Sequence, residues 1–453
     1  MRRQKYNIMK TLTVTLKQHT PLIHFQHDQY GATLRASEVK PKLDRFILTK
    51  LGGGDYEEGK ETARRNGWLI GEKNALNYKM SIVPYEKKDV SLKVVDGQYT
   101  TEQFPMILSN MGGKEDESDL VNLSLYNHVI MKLVIMVDSL ESLLRKYLAL
   151  FFARTNFGQR QTKGFGSFTV YKYNNEKAIE WNAKDYYEEG CPYMAFAFEG
   201  QDTHRPLTEK QKQEKLFAVL DFYWKCLKPG VNYTRGHEDG VYASRYIKSY
   251  LYCFLNKFRN ETWEKRRIKQ TFHLGKERKN VAPNPNNPIF ARGFLGCPDK
   301  YSYGNREVKV EHNTNDENIK IDRIPTPIYF KPICFGNICY VYILFDVSVT
   351  SNIIRIPKGQ REFKFSYNGN NFKLDLKLFI NSKNYKDFIN FYHEHLSSDK
   401  DVLEALYTNS SKEDYVDLNG DIMQEDDLGF VPRDFNWNDI LKDKNGVIFN
   451  NVE

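Results

Sequence analysis

Two short stretches of the sequence carry residue types that could cleave or bind a polyanion. The segment HFQHD holds His24, His27 and Asp28, and imidazole and carboxylate groups this close together could perform acid–base cleavage of RNA. The segment NFGQRQTKGFGSF, residues 156–168, combines three glycines with long polar and cationic side chains. Glycine lets the backbone approach a ligand closely, and cations pair with phosphates. The first stretch is compatible with RNA cleavage and the second with binding of a phosphate backbone.

The acid–base hypothesis for HFQHD has a simpler alternative. Three polar residues are compatible with an ordinary solvated loop, and no second cluster of His, Lys or Tyr clearly joins them in the sequence. We therefore predict a chain without catalytic residues. His24, His27 and Asp28 are the candidates for the alternative, a ribonuclease.

The segment 156–168, which we call the glycine loop, differs from two nucleotide-binding motifs. Lys163 precedes the last two glycines, which does not match GxxxxGK[ST], and the loop leads into a predicted strand instead of a helix. A plain flexible turn remains an alternative. In the RNA-binding interpretation Phe157 and Phe165 stack on bases. The phosphate contacts then come from the polar side chains and backbone of Gln159, Arg160, Lys163, Gly164 and Gly166.

A second group of cations lies near the first predicted helix. The segment LRASEVKPKLDRF, residues 34–46, places Arg35, Lys40, Lys42 and Arg45 at the head and on the outer face of that helix. Backbone N–H groups at a helix N-terminus, together with nearby cations, suit a phosphate. A solvated amphipathic helix would have the same composition and remains the alternative.

No metal or cofactor site is predicted. The segment DLNGD, residues 417–421, resembles the start of a calcium loop, but the twelfth position is Leu428 instead of glutamate. The six cysteines form no CxxC pair, so neither a zinc site nor a disulfide framework is expected.

Composition and charge favour a globular protein with a polyanionic partner. The 453 residues are 40% hydrophobic, which is enough for the cores of two or three domains. The formal net charge is +8, of which residues 396–453 carry −9 and residues 1–395 therefore +17. A basic body with an acidic tail is compatible with nucleic-acid binding, although lysine-rich surfaces also serve solubility alone.

Nothing in the sequence suggests a membrane. The basic N-terminal decapeptide has no apolar segment behind it, and the apolar stretch ICYVYILF is too short to span a bilayer. A cytoplasmic protein is the expected class.

The residues up to 178 read as one α+β domain. Alternation predicts strands and a 3.6-residue period predicts helices, with Ser37 and Ser139 as the N-caps. The order is strand, helix, strands, helix, glycine loop, strand, as in a ferredoxin-like (RRM-type) domain. The predicted strands are 11–25, 77–85, 91–97, 127–138 and 167–173, and the predicted helices are 37–51 and 139–155.

The remainder is predicted to hold a second, diverged ferredoxin-like domain, residues 179–395, followed by an acidic C-terminal extension, residues 396–453. Two helical stretches, 207–227 and 243–270, form a helical insertion. Two apolar strands within 323–347 form a hairpin around Gly336 and Asn337.

Several of these segments resemble the repeat-associated mysterious protein (RAMP) superfamily of CRISPR systems. GQRQTKGFGSF is similar to its glycine-rich loop before the last strand of a ferredoxin-like domain, and TPLIHF…LRASEVKPKLDRF to its first strand and helix. NPNNPIFARGFLGCP and RIPTPIYFKPI resemble segments of one branch, the first-numbered RAMP subunit of the type III-B (Cmr) effector complex. This sequence departs from the family where Ile23–Asp28 stand in place of the usual glycines and where Pro41 follows Lys40.

The resemblance implies tandem ferredoxin-like domains and a non-catalytic RNA-binding subunit at the 3′ end of a guide RNA, beside another RAMP subunit, helping to capture target RNA in antiviral defence. Its partners would be guide (CRISPR) RNA, target RNA and other RAMP subunits. The cationic and glycine-loop residues named above would hold phosphates, and Arg292 would line the face of the second domain. A RAMP-type endoribonuclease and a structural partner without RNA contact remain the alternatives.

Overall fold

The computed structural model describes nineteen stretches of the chain. They are residues 9–23, 33–71, 73–88, 94–95, 98–99, 125–187, 191, 193–198, 207–236, 242–247, 249–251, 264–274, 290–303, 306–317, 320–321, 323–345, 360–376, 414–416 and 422–423. The predicted catalytic candidates His24, His27 and Asp28, the DLNGD segment and most of the acidic extension lie outside these residues.

The described residues form two compact units. The first contains the residues up to Leu220 together with Tyr329–Leu344. The second contains Asp221–Ile328, Phe345 and the described residues from 360 onward. The predicted domain boundaries, 1–178, 179–395 and 396–453, stay a prediction.

The first unit is built on an antiparallel sheet with helices on one face. Three helices precede or connect its strands: α1 (Ala36–Leu51), α2 (Tyr56–Arg65) and α3 (Ser139–Arg154). The strands up to this point are β1 (Lys10–Gln18), β2 (Tyr78–Lys88), β3 (Val94–Val95), β4 (Gln98–Tyr99), β5 (Leu125–Ile135) and β6 (Phe168–Tyr173).

The order of the main sheet is β2-β5-β1-β6. The strands β1, β2, β5 and β6 therefore occupy the places of the first to fourth strands of a ferredoxin-like domain, with the first strand between the third and the fourth. Leu12, Val14 and Leu16 of β1 alternate toward the core, where they meet Leu43 of α1 and Leu148 of α3. The period-2 and period-3.6 patterns produce this two-layer core.

The structure corrects several local predictions in the first unit. Helix α1 begins one residue before Ser37, and α3 begins at Ser139, so neither serine is the N-cap. Helix α2 was missed. It follows the Gly52–Gly54 turn, and the Asp55 carboxylate accepts hydrogen bonds from the backbone N–H groups of Glu57 and Glu58 at its N-terminus.

The predicted hairpin around Gly336 and Asn337 is confirmed. Strands and helices between β6 and this hairpin follow in chain order. They are β7 (Tyr193–Ala197), α4 (Glu209–Leu227), β8 (Val231–Gly236), β9 (Tyr242–Ile247), α5 (Glu264–Thr271), β10 (Lys300–Tyr303) and β11 (Arg306–His312). The hairpin itself is β12 (Ile328–Phe335) and β13 (Ile338–Phe345), and β7 pairs with β13 in a sheet ordered β12-β13-β7.

A single disulfide across this hairpin corrects part of the expectation that the cysteines form neither a zinc site nor a disulfide framework. Cys334 of β12 and Cys339 of β13 are bonded, with 4.1 Å between their Cα atoms. The sequence separation of five residues suits a tight hairpin, which brings opposite positions of two strands together.

The second unit contains two four-stranded sheets. The last strands of the chain are β14 (Glu362–Tyr367), β15 (Asn370–Asp375), β16 (Asp414–Val416) and β17 (Ile422–Met423). One sheet has the order β10-β11-β14-β15 and the other β17-β16-β9-β8. The prediction of a helix over 243–270 is wrong in part, because β9 occupies its first residues and α5 its last.

The predicted α+β class is confirmed. The molecule combines antiparallel four-stranded sheets with helices, consistent with tandem ferredoxin-like domains, and its first sheet has the ferredoxin-like strand order.

Candidate nucleic-acid interface

The glycine loop follows α3 and uses the conformations that only glycine adopts at low cost. Gly158, Gly164 and Gly166 have φ values of +78°, +91° and +67°, in the left-handed region that other L-residues disfavour. A Cβ on Gly158 would lie 2.5 Å from the carbonyl oxygen of Ile23. The three glycines are therefore required by the path of the backbone.

Backbone hydrogen bonds fix the glycine loop to the segment that follows β1. The N–H of Gly166 donates to the carbonyl of Pro21 at 2.8 Å, and the N–H of Gln159 donates to the carbonyl of Ile23 at 2.9 Å. The side chain of Thr20 adds a bond from its hydroxyl to the carbonyl of Gly164 at 2.7 Å. The loop is therefore held against the segment after β1. The predicted phosphate contacts from the backbone N–H groups of Gly164 and Gly166 need correction, because both groups donate within the protein.

The hairpin supports the glycine loop from its other side. The Asn156 amide donates to the carbonyl of Phe330 at 2.7 Å, and the Ser167 hydroxyl donates to the carbonyl of Pro332 at 2.6 Å. Lys331, between these two, is fully buried and donates to the carbonyls of Thr155 and Phe168 at 2.9 Å each. Burial lowers the pKa of Lys331 well below its usual value. An ammonium group at the C-terminus of α3 also meets the negative end of the helix dipole.

One face of α1 lies beside the glycine loop. Residues 35, 38, 42 and 45 follow the helical period and share a stripe. The N–H of Gly158 donates to the Glu38 carboxylate at 3.0 Å, and the same carboxylate oxygen accepts from Lys42 at 3.0 Å. The Lys42 ammonium also lies 3.3 Å from Oε1 of Gln161. These contacts join the helix stripe to the loop.

The stripe and the loop together form a surface of like charge. Arg35, Lys42 and Arg45 lie on the stripe, and Arg160 and Lys163 flank Gln161 in the loop. Arg35 and Arg45 are exposed, and the two loop cations are partly exposed. Glu38 is the acidic residue within the stripe. We call these five cations and the loop backbone between them the loop–helix surface.

Lys40, predicted as a phosphate contact, has a different environment. It lies two residues from both Glu38 and Lys42, which is about 200° around the helix. Its ammonium donates to Asp44 at 2.6 Å and to the carbonyl of Leu76 at 3.0 Å, and Asp44 also accepts from the hydroxyl of Tyr78 at 2.7 Å. Burial raises the pKa of Asp44, while the bond from Lys40 opposes that shift. In this structure the Lys40 ammonium therefore belongs to a hydrogen-bond network within the protein, and the prediction that it contacts phosphate needs correction.

The two phenylalanines of the glycine loop are buried. Phe157 packs among Phe151, Phe152 and Phe168, and Phe165 stacks on Phe217 with 3.9 Å between ring centroids. Both rings have no exposed surface. The expectation that bases stack on them needs correction, since neither face of either ring is open in this conformation.

Arg292, predicted to line the face of the second domain, is also buried. It is 5% exposed, and its guanidinium pairs with the Glu264 carboxylate and donates to the hydroxyl of Tyr303 at 3.1 Å. The carboxylate of Glu264 accepts from the backbone N–H of Ala291 as well, at 3.0 Å. Arg292 fixes the 290–295 segment inside the second unit and does not present its charge to a phosphate here.

His19 couples β1, β6 and the hairpin. Its Nε2 lies 2.8 Å from Oγ1 of Thr169, and the N–H of Cys334 donates to its Nδ1 at 3.1 Å. Burial, followed by the charges of Lys17 and Lys331, lowers the pKa of His19 well below its usual value. His19 is therefore a neutral structural side chain at neutral pH.

Metal-binding groups and membrane-spanning helices are two further features that the described residues could contain. Among the residues that the structure describes, no group of three or more His, Cys, Asp or Glu could hold a metal ion. No helix in these stretches is long and apolar enough to cross a bilayer.

Sequence reasoning missed the two side chains that join helix to loop. Glu38 and Gln161 carry no signal of their own, because single acidic and amide residues are common on solvated surfaces. The 3.6-residue spacing of Glu38 from Arg35, Lys42 and Arg45 was visible in the sequence and separates Lys40 from the stripe.

Comparison with known proteins places the chain in a family. Residues 9–231 match the model of the Cmr1 N-terminal domain, and residues 246–413 match that of the Cmr1 C-terminal domain. No curated protein sequence matches.

Solved structures give distant similarities. The crystal structure of apo Cmr1 from Pyrococcus furiosus is 13% identical, with a TM-score of 0.38, over 85% of this chain and 97% of that one. A chain of the type III-B Cmr-beta complex bound to cognate target RNA is 15% identical, with a TM-score of 0.26, and this chain covers 62% of its length with 38% of its own. A chain of the same kind of complex with target RNA, AMPPnP and single-stranded DNA is 11% identical, with a TM-score of 0.36, over 76% and 98% of the two chains.

Proposed function

This chain belongs to the Cmr1 family of CRISPR RAMP proteins, and we propose that it is a non-catalytic RNA-binding subunit of a type III-B Cmr effector complex. It lies at the 3′ end of the guide RNA and assists the capture of target RNA in antiviral defence. Its partners are guide RNA, target RNA and neighbouring RAMP subunits, in the cytoplasm. Guide–target pairing supplies the sequence specificity, so the protein needs only contacts to shape and phosphates.

One observation carries this proposal: the loop–helix surface is assembled by contacts that the glycines make possible. The N–H of Gly158 reaches Glu38, and Lys42 reaches Gln161. Because these bonds fix the loop against the helix, the cations of both elements are held at one place. A phosphate backbone carries one charge per nucleotide, and several fixed cations match it better than one.

The proposal leaves Lys40, Phe165 and Arg292 out of the RNA-contacting set. Lys40 is paired with Asp44, Phe165 is stacked on Phe217, and Arg292 is paired with Glu264. Each of the three supports the fold of its own unit. The remaining contacts are the five cations of the loop–helix surface: Arg35, Lys42, Arg45, Arg160 and Lys163. Lys42 stays in this set because its pairing with Glu38 lies on that surface, and the loop N–H groups, which bond within the protein, only position the cations.

The test is one gel series that scores binding and cleavage together. The purified chain, alone and with co-expressed neighbours, is incubated with labelled guide RNA and complementary target RNA. The His24→Ala/His27→Ala and Asp28→Ala variants are run alongside. Binding without cuts, equal in all variants, is the expected result.

Two outcomes would contradict the proposal. Cuts that disappear in a variant of His24, His27 or Asp28 would identify an endoribonuclease. Incorporation into the complex without any RNA contact would identify a structural subunit.

A further inference from the structure

A cleft lined by aromatic side chains opens in the first unit, apart from the loop–helix surface. Its volume is about 1110 Å³. The wall is formed by the outer face of the first sheet, the segment after β6, and the β12-β13-β7 sheet. Its main lining residues are Lys17, Tyr171, Trp181, Tyr193, Phe335 and Tyr340.

Some aromatic rings of this cleft are buried, and others pack on them and remain exposed. Tyr187 and Tyr342 stack at 4.0 Å between centroids and belong to a small buried cluster. In front of them, Tyr193 lies 5.6 Å from Tyr342 and 6.4 Å from Tyr340, yet half of its surface is exposed. A half-exposed tyrosine on a rigid aromatic support offers a flat apolar surface to a ligand.

Cations accompany these rings. The Lys17 ammonium lies 4.6 Å from the ring centroid of Phe335. Lys184 is exposed at the rim, and Glu180 is the acidic residue that lines the cleft. A lining of flat rings with more lysines than carboxylates matches a ligand that is both aromatic and anionic.

The aromatic surface continues across the sheet. Lys17 of β1 is opposite His128 of β5, which is opposite Tyr85 of β2, so these three side chains share the outer face. Tyr171 lies 5.1 Å from His128 between ring centroids, and Tyr85 and Tyr171 are 55% and 36% exposed. Burial, followed by the charge of Lys17, lowers the pKa of His128.

We propose that this cleft, with the adjoining outer face of the first sheet, stacks unpaired nucleobases of an RNA strand. The inference rests on the proposed function for the identity of the ligand, and it assigns a second kind of contact, to bases instead of phosphates. Stacking on aromatic rings tolerates any sequence because each base has a π-face.

The hairpin gives the cleft a direct connection to the glycine loop. Strand β12 contacts the loop at Pro332 and the cleft at Phe335. Three residues of a strand span about 10 Å. The strand thus joins the support of the glycine loop to the wall of the cleft. An apolar protein segment in the cleft is the competing occupant, and the surrounding lysines disfavour it.

The experiment compares two single-stranded RNAs of equal length and charge, one with all its bases and one with a central run of abasic residues. Affinities for the full-length chain are measured by fluorescence anisotropy across a salt series. The variants are Tyr171→Leu/Tyr193→Leu, which keeps apolar volume and removes the rings, and Tyr171→Phe/Tyr193→Phe, which keeps the rings. Both positions are exposed, so folding is preserved and is checked by circular dichroism.

The wild-type chain is expected to bind the base-containing RNA about tenfold more tightly, because stacking contributes about 1–3 kcal/mol per base. The leucine variant loses this discrimination while its salt dependence is unchanged, and the phenylalanine variant retains it.

Four results would contradict the inference or the proposed function on which it rests. If the leucine variant still discriminates between the RNAs, or if the wild-type chain binds both equally, bases do not stack in this cleft. Both results are compatible with phosphate binding at the loop–helix surface. Loss of neighbouring subunits when the leucine variant is co-purified with them, with discrimination unchanged, identifies a protein-docking surface. Absence of salt-dependent binding to either RNA contradicts the proposed function itself.

Discussion

Gly166 and Phe157 close the base of the glycine loop. The N–H of Phe157 donates to the carbonyl of Gly166 at 3.0 Å, and a Cβ on Gly166 would lie 2.0 Å from the carbonyl oxygen of Phe157. The two strands of the loop therefore approach so closely that only glycine fits. The position of every cation in the loop depends on this approach.

Substitution of Gly166 by alanine should destabilise the first unit. Alanine at φ +67° is strained by about 1 kcal/mol, and the overlap with Phe157 adds a backbone shift. We expect a loss of about 3 kcal/mol in the free energy of unfolding, measured by urea denaturation.

Gly53→Ala is the matched control for this prediction. Gly53 has a φ of +62°, but nothing lies within 4 Å of a Cβ built there. The Gly53→Ala variant therefore has the conformational strain without a steric overlap, and it should lose about 1 kcal/mol in the free energy of unfolding. Equal losses in the two variants would mean that the close approach at Gly166 does not matter.

Lys40→Met should reduce stability and leave RNA binding nearly unchanged. The substitution leaves the Asp44 carboxylate, 6% exposed as a residue, without its cation. Removing one partner of a buried charged hydrogen bond costs about 1–3 kcal/mol. Denaturation and RNA affinity should be measured on the same preparation.

Asp44→Asn, made alone and in the Lys40→Met background, completes a double-mutant cycle. Because the variant amide carries no charge, part of the lost stability should return. A Lys40→Met variant with normal stability and weaker RNA binding would show that Lys40 contacts phosphate, as the sequence alone predicted.

The buried His19 should make the protein sensitive to mild acid. Its folded pKa lies well below the unfolded value of about 6.5 because of burial and nearby lysines. Below pH 6.5 the unfolded histidine binds a proton that the folded one does not, so the unfolded state gains stability. The contribution of neutral His19 to the stability of the folded state is therefore fully present above pH 6.5 and is lost as the pH falls below that value.

Between pH 7.5 and pH 5.5 the wild-type chain should lose about 1 kcal/mol more stability than His19→Gln. Urea denaturation of both proteins at the two pH values provides the measurement. If the wild-type chain and the variant lose the same amount, His19 is protonated in the folded state.

Much of the first sheet was predictable because its residues follow local rules. Leu12, Val14 and Leu16 alternate as a half-buried strand does, and the order of elements gave the ferredoxin-like arrangement. Helix α2 was missed because its YEEGKETARR sequence is almost entirely polar and carries no apolar stripe. Its N-cap, Asp55, was the available signal.

The candidate site was predictable only in outline. The glycines and the cations of the loop were identified, but Lys40 was grouped with Lys42 although the helical period and Asp44, four residues on, set it apart. Only its bond to the carbonyl of Leu76 depends on a residue distant in sequence. Phe165 looked like a stacking residue because a single sequence does not show that Phe217 covers it. Burial of a side chain depends on partners distant in sequence.

The loop–helix surface is the central claim, and the slope of RNA affinity against salt tests it most directly. Log Kd is measured against log salt for the wild-type chain, for Arg160→Gln/Lys163→Gln, and for Lys309→Gln as a control on an exposed lysine of the second unit. The loop variant should lose about one unit of slope per phosphate contact, and Lys309→Gln should match the wild-type chain. A loop variant with the wild-type slope and affinity would contradict the account, because the glycine loop would then hold no phosphate.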